Sequence, residues 1–299
     1  VWDGALGVDL SSFMGGHRPD RAPAFALAVG DDPYACLDTA FDLAASVLPG
    51  LLSRRKPGDP YPEPFEYLGW CSWNTYYSGV SARKLFKSAA SLRRSRVPFA
   101  WALIDDGWSH TGRGPWRNML WDFKADPRKF PGGLEPCIRT LKSKFGFRWV
   151  GVWHAFQGYW NGIHPRGPIA GALRPFLVEA PKEGATNFMP SGHDFLIPDP
   201  TPGRGERFYD AWHSRLASWG VGFVKVDNQG SIHRTVQGRK PVFDAMAGQH
   251  GNLMNSVDRH FGGNIIHCMG MTTESTYTFR KPAIVRNSDD YIPGQRLNH

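Results

Sequence analysis

From residue 67 onward the chain alternates short, almost unbroken apolar runs with segments of helical periodicity, and few folds accept that pattern. The runs are Tyr67–Trp73, Phe99–Asp105, Arg148–His154, Val221–Asp227, Asn264–Met269 and Ala283–Asn287. Helical patterns occupy about 81–96, 133–145, 204–219 and 241–260 between them. Runs without polar alternation read as strands buried on both faces, so the expected core is a parallel sheet covered by helices. The stretch 155–203 is too long for a simple connection and is expected to shape a site.

An open doubly wound sheet and a closed barrel both fit this alternation. The open sheet places function in one crevice, commonly beside a glycine-rich phosphate turn, and neither GxGxxG nor GxxxxGK[ST] occurs. A barrel gathers every strand C-terminus at one mouth. Several runs end in polar groups, at Asp105–Asp106, His154, Asp227 and, just beyond the last run, Asp289–Asp290. The expected fold is therefore an α/β (β/α)8 TIM barrel over 67–299, incomplete at its C-terminal end because only about six strands are visible. The chain is accordingly read as a piece of a longer one, unstable or poorly active by itself.

Ahead of the barrel, residues 1–48 read as the end of an N-terminal β domain and a connecting helix. The strand-like run is Ala24–Gly30, and the helix begins with Asp32 as N-cap and Pro33 in the first turn. Residues 49–66, rich in proline, glycine and charge, read as a linker.

Other classes are set aside on composition. No apolar run approaches the roughly 20 residues of a membrane helix, so no membrane association is expected. The 4 cysteines, at 36, 71, 137 and 268, show neither CxxC pairing nor regular spacing and read as buried thiols. The net charge of +8 is concentrated partly at Arg54–Lys56 and on a helix carrying Arg83, Lys84, Lys87, Arg93, Arg94 and Arg96. That helix reads as amphipathic with a solvated basic face, and no nucleic-acid partner is expected. His154, His164 and His193 match no HExxH-type spacing, so no metal site and no cofactor is implied. The lack of a signal segment leans towards the cytoplasm, while a start at Val1 leaves the compartment open. No feature bears on oligomeric state.

The strand-end carboxylates carry the chemistry. Glycosidic bonds are commonly cleaved between two carboxyl groups, one ionised and one protonated. Asp227 suits the first role, because Lys225 lies two residues back on the same strand face, where an ammonium favours the charged form. A structural ion pair or a helix cap would use the same residues. Asp289 and Asp290 suit the second role, since adjacent carboxylates raise one another's pKa, and Arg286 is placed to orient one of them. Taken alone, that pair also reads as a polar turn. Asp105 and Asp106, followed by Gly107 and Trp108, offer two carboxylates for vicinal hydroxyls beside an indole. Of the 12 tryptophans, Trp70, Trp73, Trp153 and Trp160 also fall on or near strand ends, as in a carbohydrate site.

In order, the segments GWCSWNTYY, LIDDGW, ADPRKFPGG, GVWHAFQGYWNGI, GFVKVDNQG and IVRNSDDYIP resemble glycoside hydrolase family 36, in its branch of raffinose synthases and seed-imbibition α-galactosidases. The resemblance covers about residues 5–299 and implies a retaining enzyme acting on an oligosaccharide α-galactoside. It implies Asp227 as nucleophile and Asp290 as acid/base, with Asp289 as its neighbour and the competing assignment. It implies sugar-binding roles for Asp105, Asp106, Lys225, Arg286, Trp73, Trp153 and His154, with Trp108 alongside. Hydrolysis is the expected outcome; the alternatives are galactosyl transfer from galactinol to sucrose, as in raffinose synthesis, and a non-catalytic carbohydrate-binding barrel.

Overall fold

The structure, a computed structural model, describes residues 10–17, 22–48, 50, 58–184, 192–279 and 284–292. Six parallel strands form its sheet: β1 (Gly69–Cys71), β2 (Trp101–Ile104), β3 (Trp149–Ala155), β4 (Phe223–Asp227), β5 (Ile265–His267) and β6 (Ile284–Val285). They lie side by side in sequence order. A doubly wound sheet reverses its order at a switch point; this one never does, which is the winding of a (β/α)8 barrel, here a curled half-barrel of six strands.

The helices lie where the periodicity predicts. A helix α1 (Pro33–Val47) precedes the barrel, and the Asp32 side chain accepts the Tyr34 N–H at 2.8 Å, capping it. Next come α2 (Ala82–Arg94), α3 (Leu134–Phe145), α4 (Glu206–Ser218) and α5 (Val242–Phe261). Leu85 and Ala89 of α2 are buried while its Arg and Lys side chains stay outside, as an amphipathic helix requires. The α3 and α5 helices end on left-handed Gly146 and Gly262, a conformation that costs glycine nothing. Residues 22–30 belong to no ladder among the described residues, and Phe25, Leu27 and Val29 stand exposed. Residues 49 and 51–57 of the expected linker lie outside the described residues, and Glu63–Glu66 forms a single 3₁₀ turn.

The barrel floor is an aromatic plug fitted around two glycines. Along β4, Phe223, Lys225 and Asp227 face inward while Val224 and Val226 face the helices. Phe223 packs edge-on to Trp101 at 5.4 Å and to Phe65 at 5.2 Å. A Cβ on Gly69 would lie 1.9 Å from the Trp101 indole, and one on Gly151 would lie 2.2 Å from the Phe223 ring. Neighbouring strands thus alternate large and absent side chains, which lets the rings fill the interior.

Two excursions build up the mouth. The first, not foreseen as strands, is an antiparallel hairpin of Ser109–Thr111 with Leu120–Ala125 after β2. The second occupies the long stretch after β3, with a helix Pro168–Leu173 and a hairpin of Leu177–Ala180 with Phe195–Pro198. Main-chain bonds from Leu120 N–H to Gly162 and from Asn161 N–H to Asn118 join them.

Candidate active site

Parallel winding brings the strand C-termini to one end, where a cleft of about 810 Å³ is lined by Trp73, Asp105, Asp106, Trp153, Asp227 and Arg286, among others. Lys225, Asp289 and Asp290 also line it, so every predicted site residue except Trp108 and His154 is brought to this one place.

Asp227 ends β4 and is buried. One of its oxygens accepts the Trp153 Nε1–H at 2.9 Å and the other the N–H of Asn228 at 2.7 Å. Asn228 itself takes a left-handed φ of 61° as the chain leaves the strand. Donors at both oxygens fix the orientation of the carboxylate. Asp105, at the end of β2, repeats the device: its Oδ1 accepts the Asp106 N–H at 2.8 Å.

Lys225 takes a different partner from the one its spacing predicts. Its ammonium donates to Asp105 Oδ2 at 2.8 Å, and the Cys71 thiol donates to the same oxygen at 3.2 Å. Burial works against the charge, but Asp105, with Cys268 and Asp227 beyond it, holds the ammonium above its usual range. Burial pushes the Cys71 thiol up to about 12, with Asp105 adding to the shift, so it stays protonated as a donor.

Asp106 has both oxygens engaged, accepting Tyr159 O–H at 2.6 Å and Trp160 Nε1–H at 2.9 Å. Burial raises its pKa, and these two donors oppose the rise. Gly107 then turns the chain at φ 102°, where a Cβ would lie 2.3 Å from the Ser78 carbonyl oxygen.

Asp290 stands on the opposite, exposed side. It accepts Trp73 Nε1–H at 3.0 Å, and Arg286 pairs with its other oxygen at 2.6 Å. Asn74 Nδ2 donates to the Tyr291 carbonyl, so the loops after the two edge strands meet across the mouth. Asp289 lines the cleft beside it.

Trp108 and His154 lie outside the cleft. The turn at Gly107 folds the Trp108 indole under the first hairpin, where its Nε1–H donates to the Trp153 carbonyl at 2.7 Å and the ring is fully buried. It supports the strand that carries Trp153. His154 follows Trp153, and strand alternation turns it outward to the helix layer. There His154 Nε2 meets His213 Nε2 of α4 at 3.0 Å, and His213 Nδ1 meets Ser256 Oγ of α5 at 2.8 Å. Burial lowers His154 to about 4 and holds His213 well below the ordinary histidine range. His164 and His193 pack against Trp116, with ring centroids 4.7 and 3.9 Å away.

Several lining or supporting residues were not among the predicted site residues: Tyr159, Gly230, Met269, Met271, Thr272 and Ile292. Met269 ends the fifth apolar run and Met271 and Thr272 follow directly after it, and this strand-end placement is the signal that marks them.

The fold is shared with solved α-galactosidases. The α-galactosidase TtGalA of Thermus thermophilus aligns with a TM-score of 0.56 at 16% identity, over 81% of this chain and 44% of that one. The GH36 α-galactosidase AgaA of Geobacillus stearothermophilus aligns with a TM-score of 0.52 at 16% identity, over 75% of this chain and 31% of that one.

Among curated relatives, a probable galactinol–sucrose galactosyltransferase of Arabidopsis thaliana is 28% identical over 90% of this chain and 38% of its own length. The galactinol–sucrose galactosyltransferase of Oryza sativa is 27% identical over 90% of this chain and 37% of its own. The chain thus spans under half the length of these relatives. Residues 21–116 and 121–297 match the model of a carbohydrate-active enzyme family, and the chain belongs to that family: raffinose synthase or seed imbibition protein Sip1.

Proposed function

We propose that the cleft transfers α-galactosyl groups by double displacement, with a sugar hydroxyl as the preferred acceptor. The observation that carries this reading is the pair of carboxylates facing one cleft in contrasting settings. Asp227 is buried with a donor on each oxygen, which holds it in one orientation as a nucleophile requires, and Asp290 is exposed at the rim, where protons exchange with leaving group and acceptor. Asp227 attacks the anomeric carbon while Asp290 gives its proton to the departing oxygen; Asp290 then takes the proton of the incoming hydroxyl as the sugar leaves Asp227. Asp105, Asp106 and Lys225 present charged groups to the galactosyl hydroxyls. Transfer is favoured over hydrolysis because the relatives matched over most of this chain are named galactosyltransferases.

Incubation with galactinol and sucrose tests the reading: galactose attached to sucrose is expected, in excess of free galactose. Azide distinguishes the two carboxylates. With an aryl α-galactoside, Asp227→Gly should yield β-galactosyl azide, and Asp290→Ala should yield the α-azide. An α-azide from Asp289→Ala, with Asp290→Ala behaving as wild type, would exchange those two roles. A folded wild-type protein that neither transfers nor hydrolyses would remove the catalytic reading.

A further inference from the structure

The two sides of the cleft differ in chemistry. The deep side presents Asp105, Asp106, Lys225 and Asp227, all buried and all hydrogen-bonded. The outer side, beside Arg286 and Asp290, presents Met269, Met271, Thr272 and Ile292. Met271 and Ile292 remain 48% and 47% exposed, so this apolar strip faces the open mouth.

The strip is held in place. Met269 sits at φ 51°, a left-handed conformation that costs an ordinary side chain roughly 1–2 kcal/mol. It is kept there by the Gly230 N–H, which donates to the Met269 carbonyl at 2.8 Å, and by the Cys268 N–H, which donates to Val226 at 2.8 Å. Thr272 is fixed as the N-cap of a short helix, its hydroxyl accepting the Ser275 N–H at 3.3 Å. A Cβ on Gly230 would lie 3.0 Å from Thr272 Cγ2 and 3.1 Å from the Met269 carbonyl oxygen, so the two loops pack closely at this glycine. Backbone strain held by its surroundings at a binding cleft is a mark of function.

We infer that Met269, Met271, Thr272 and Ile292 form the acceptor subsite, a shelf seating first the departing polyol ring and then the incoming sugar. This rests on the galactosyl-transfer reading and extends it. A transferase must hold two different molecules in succession beside the same acid/base group. A subsite built from directed hydrogen bonds would reject whichever molecule lacked the matching hydroxyl by orders of magnitude, whereas an apolar surface discriminates only weakly. Thioethers add adaptability, since three rotatable bonds and a polarisable sulfur fit different C–H faces. The charged deep side fixes the galactosyl unit, and the shelf leaves the partner variable.

α-Galactosyl fluoride isolates the shelf, because fluoride is too small to occupy it. The C–F bond breaks as the Asp227 carboxylate bonds to the anomeric carbon and fluoride leaves with the electron pair. The acceptor oxygen then displaces Asp227 and its proton passes to Asp290. With this donor and sucrose, Met271→Ser and Met269→Ser should raise the acceptor KM at least fivefold. The ratio of transfer product to free galactose should fall by more than any change in fluoride release, and Met271→Leu should restore it. Wild-type ratios in both serine variants, with fluoride still released, would overturn the shelf alone. A loss of fluoride release matching the loss of transfer would assign the methionines to the galactosyl side and overturn it too. A wild type that releases no fluoride would instead bring down the galactosyl-transfer reading beneath it.

Discussion

Trp153 is the side chain that orients Asp227, donating one of the two hydrogen bonds the carboxylate accepts. A hydrogen bond to a charged group is worth about 1.5–3 kcal/mol, so Trp153→Phe should lower kcat/KM by about ten- to a hundredfold while keeping the ring. Steady-state kinetics on an aryl α-galactoside would show it, and an unchanged kcat/KM would mean that the Asn228 N–H alone suffices. A second residue-scale prediction concerns the buried Lys225–Asp105 pair. Removing one partner leaves an uncompensated buried charge, so Lys225→Met should destabilise the fold by about 3–5 kcal/mol. Adding Asp105→Asn should recover part of that loss in urea titrations, and additive losses would mean that the two groups do not depend on each other. That Lys225 and Asp227 share an inward face was legible from their spacing. That the ammonium reaches across to β2 was not, because the spacing says nothing about which strand lies opposite.

At the scale of elements, the floor of the barrel depends on side chains that are missing as much as on those present. Gly151→Ala would drive a methyl into the Phe223 ring, and overpacking of this kind costs about 1–3 kcal/mol. Combining it with Phe223→Leu should return most of the stability, measured as a shift in urea midpoint, and no recovery would place the strain elsewhere. Strands β1 to β6 and helices α1 to α5 were readable because burial on both faces or on one face leaves a periodic imprint. The hairpin after β2 left none. Its strands rest on the mouth, on the neighbouring excursion and, through Phe123, on Phe208 and Trp212 of α4, so their sequence answers to mixed partners instead of one layer. The same local geometry misplaced Trp108 and His154. One is turned under by Gly107, and the other falls one residue out of phase with the inward face of β3.

Across the whole molecule, α4, α5, β3 and β5 are tied together by histidines buried in the neutral form. Burial lowers His154 to about 4 and His267 to about 3, while the unfolded chain titrates near 6.5. Below about pH 6.5 the unfolded state therefore binds more protons than the folded one. Stability is full above that pH and falls as pH drops towards 4, by on the order of 3 kcal/mol for His154 alone. Thermal melts between pH 7.5 and 4.5 should show Tm declining across this window, and a flat Tm would mean that the histidines are not shielded. By itself the sequence determined the order of strands and helices, the barrel winding, and the polar strand ends that become the cleft, since each follows from periodicity or from the chemistry of a short segment. Tertiary structure alone decided which charges pair, which aromatic rings face the cleft, and that Met269, Met271 and Ile292 gather into one shelf. Those outcomes depend on distances between segments far apart in the chain, and a linear pattern carries no information about them until the sheet has curled.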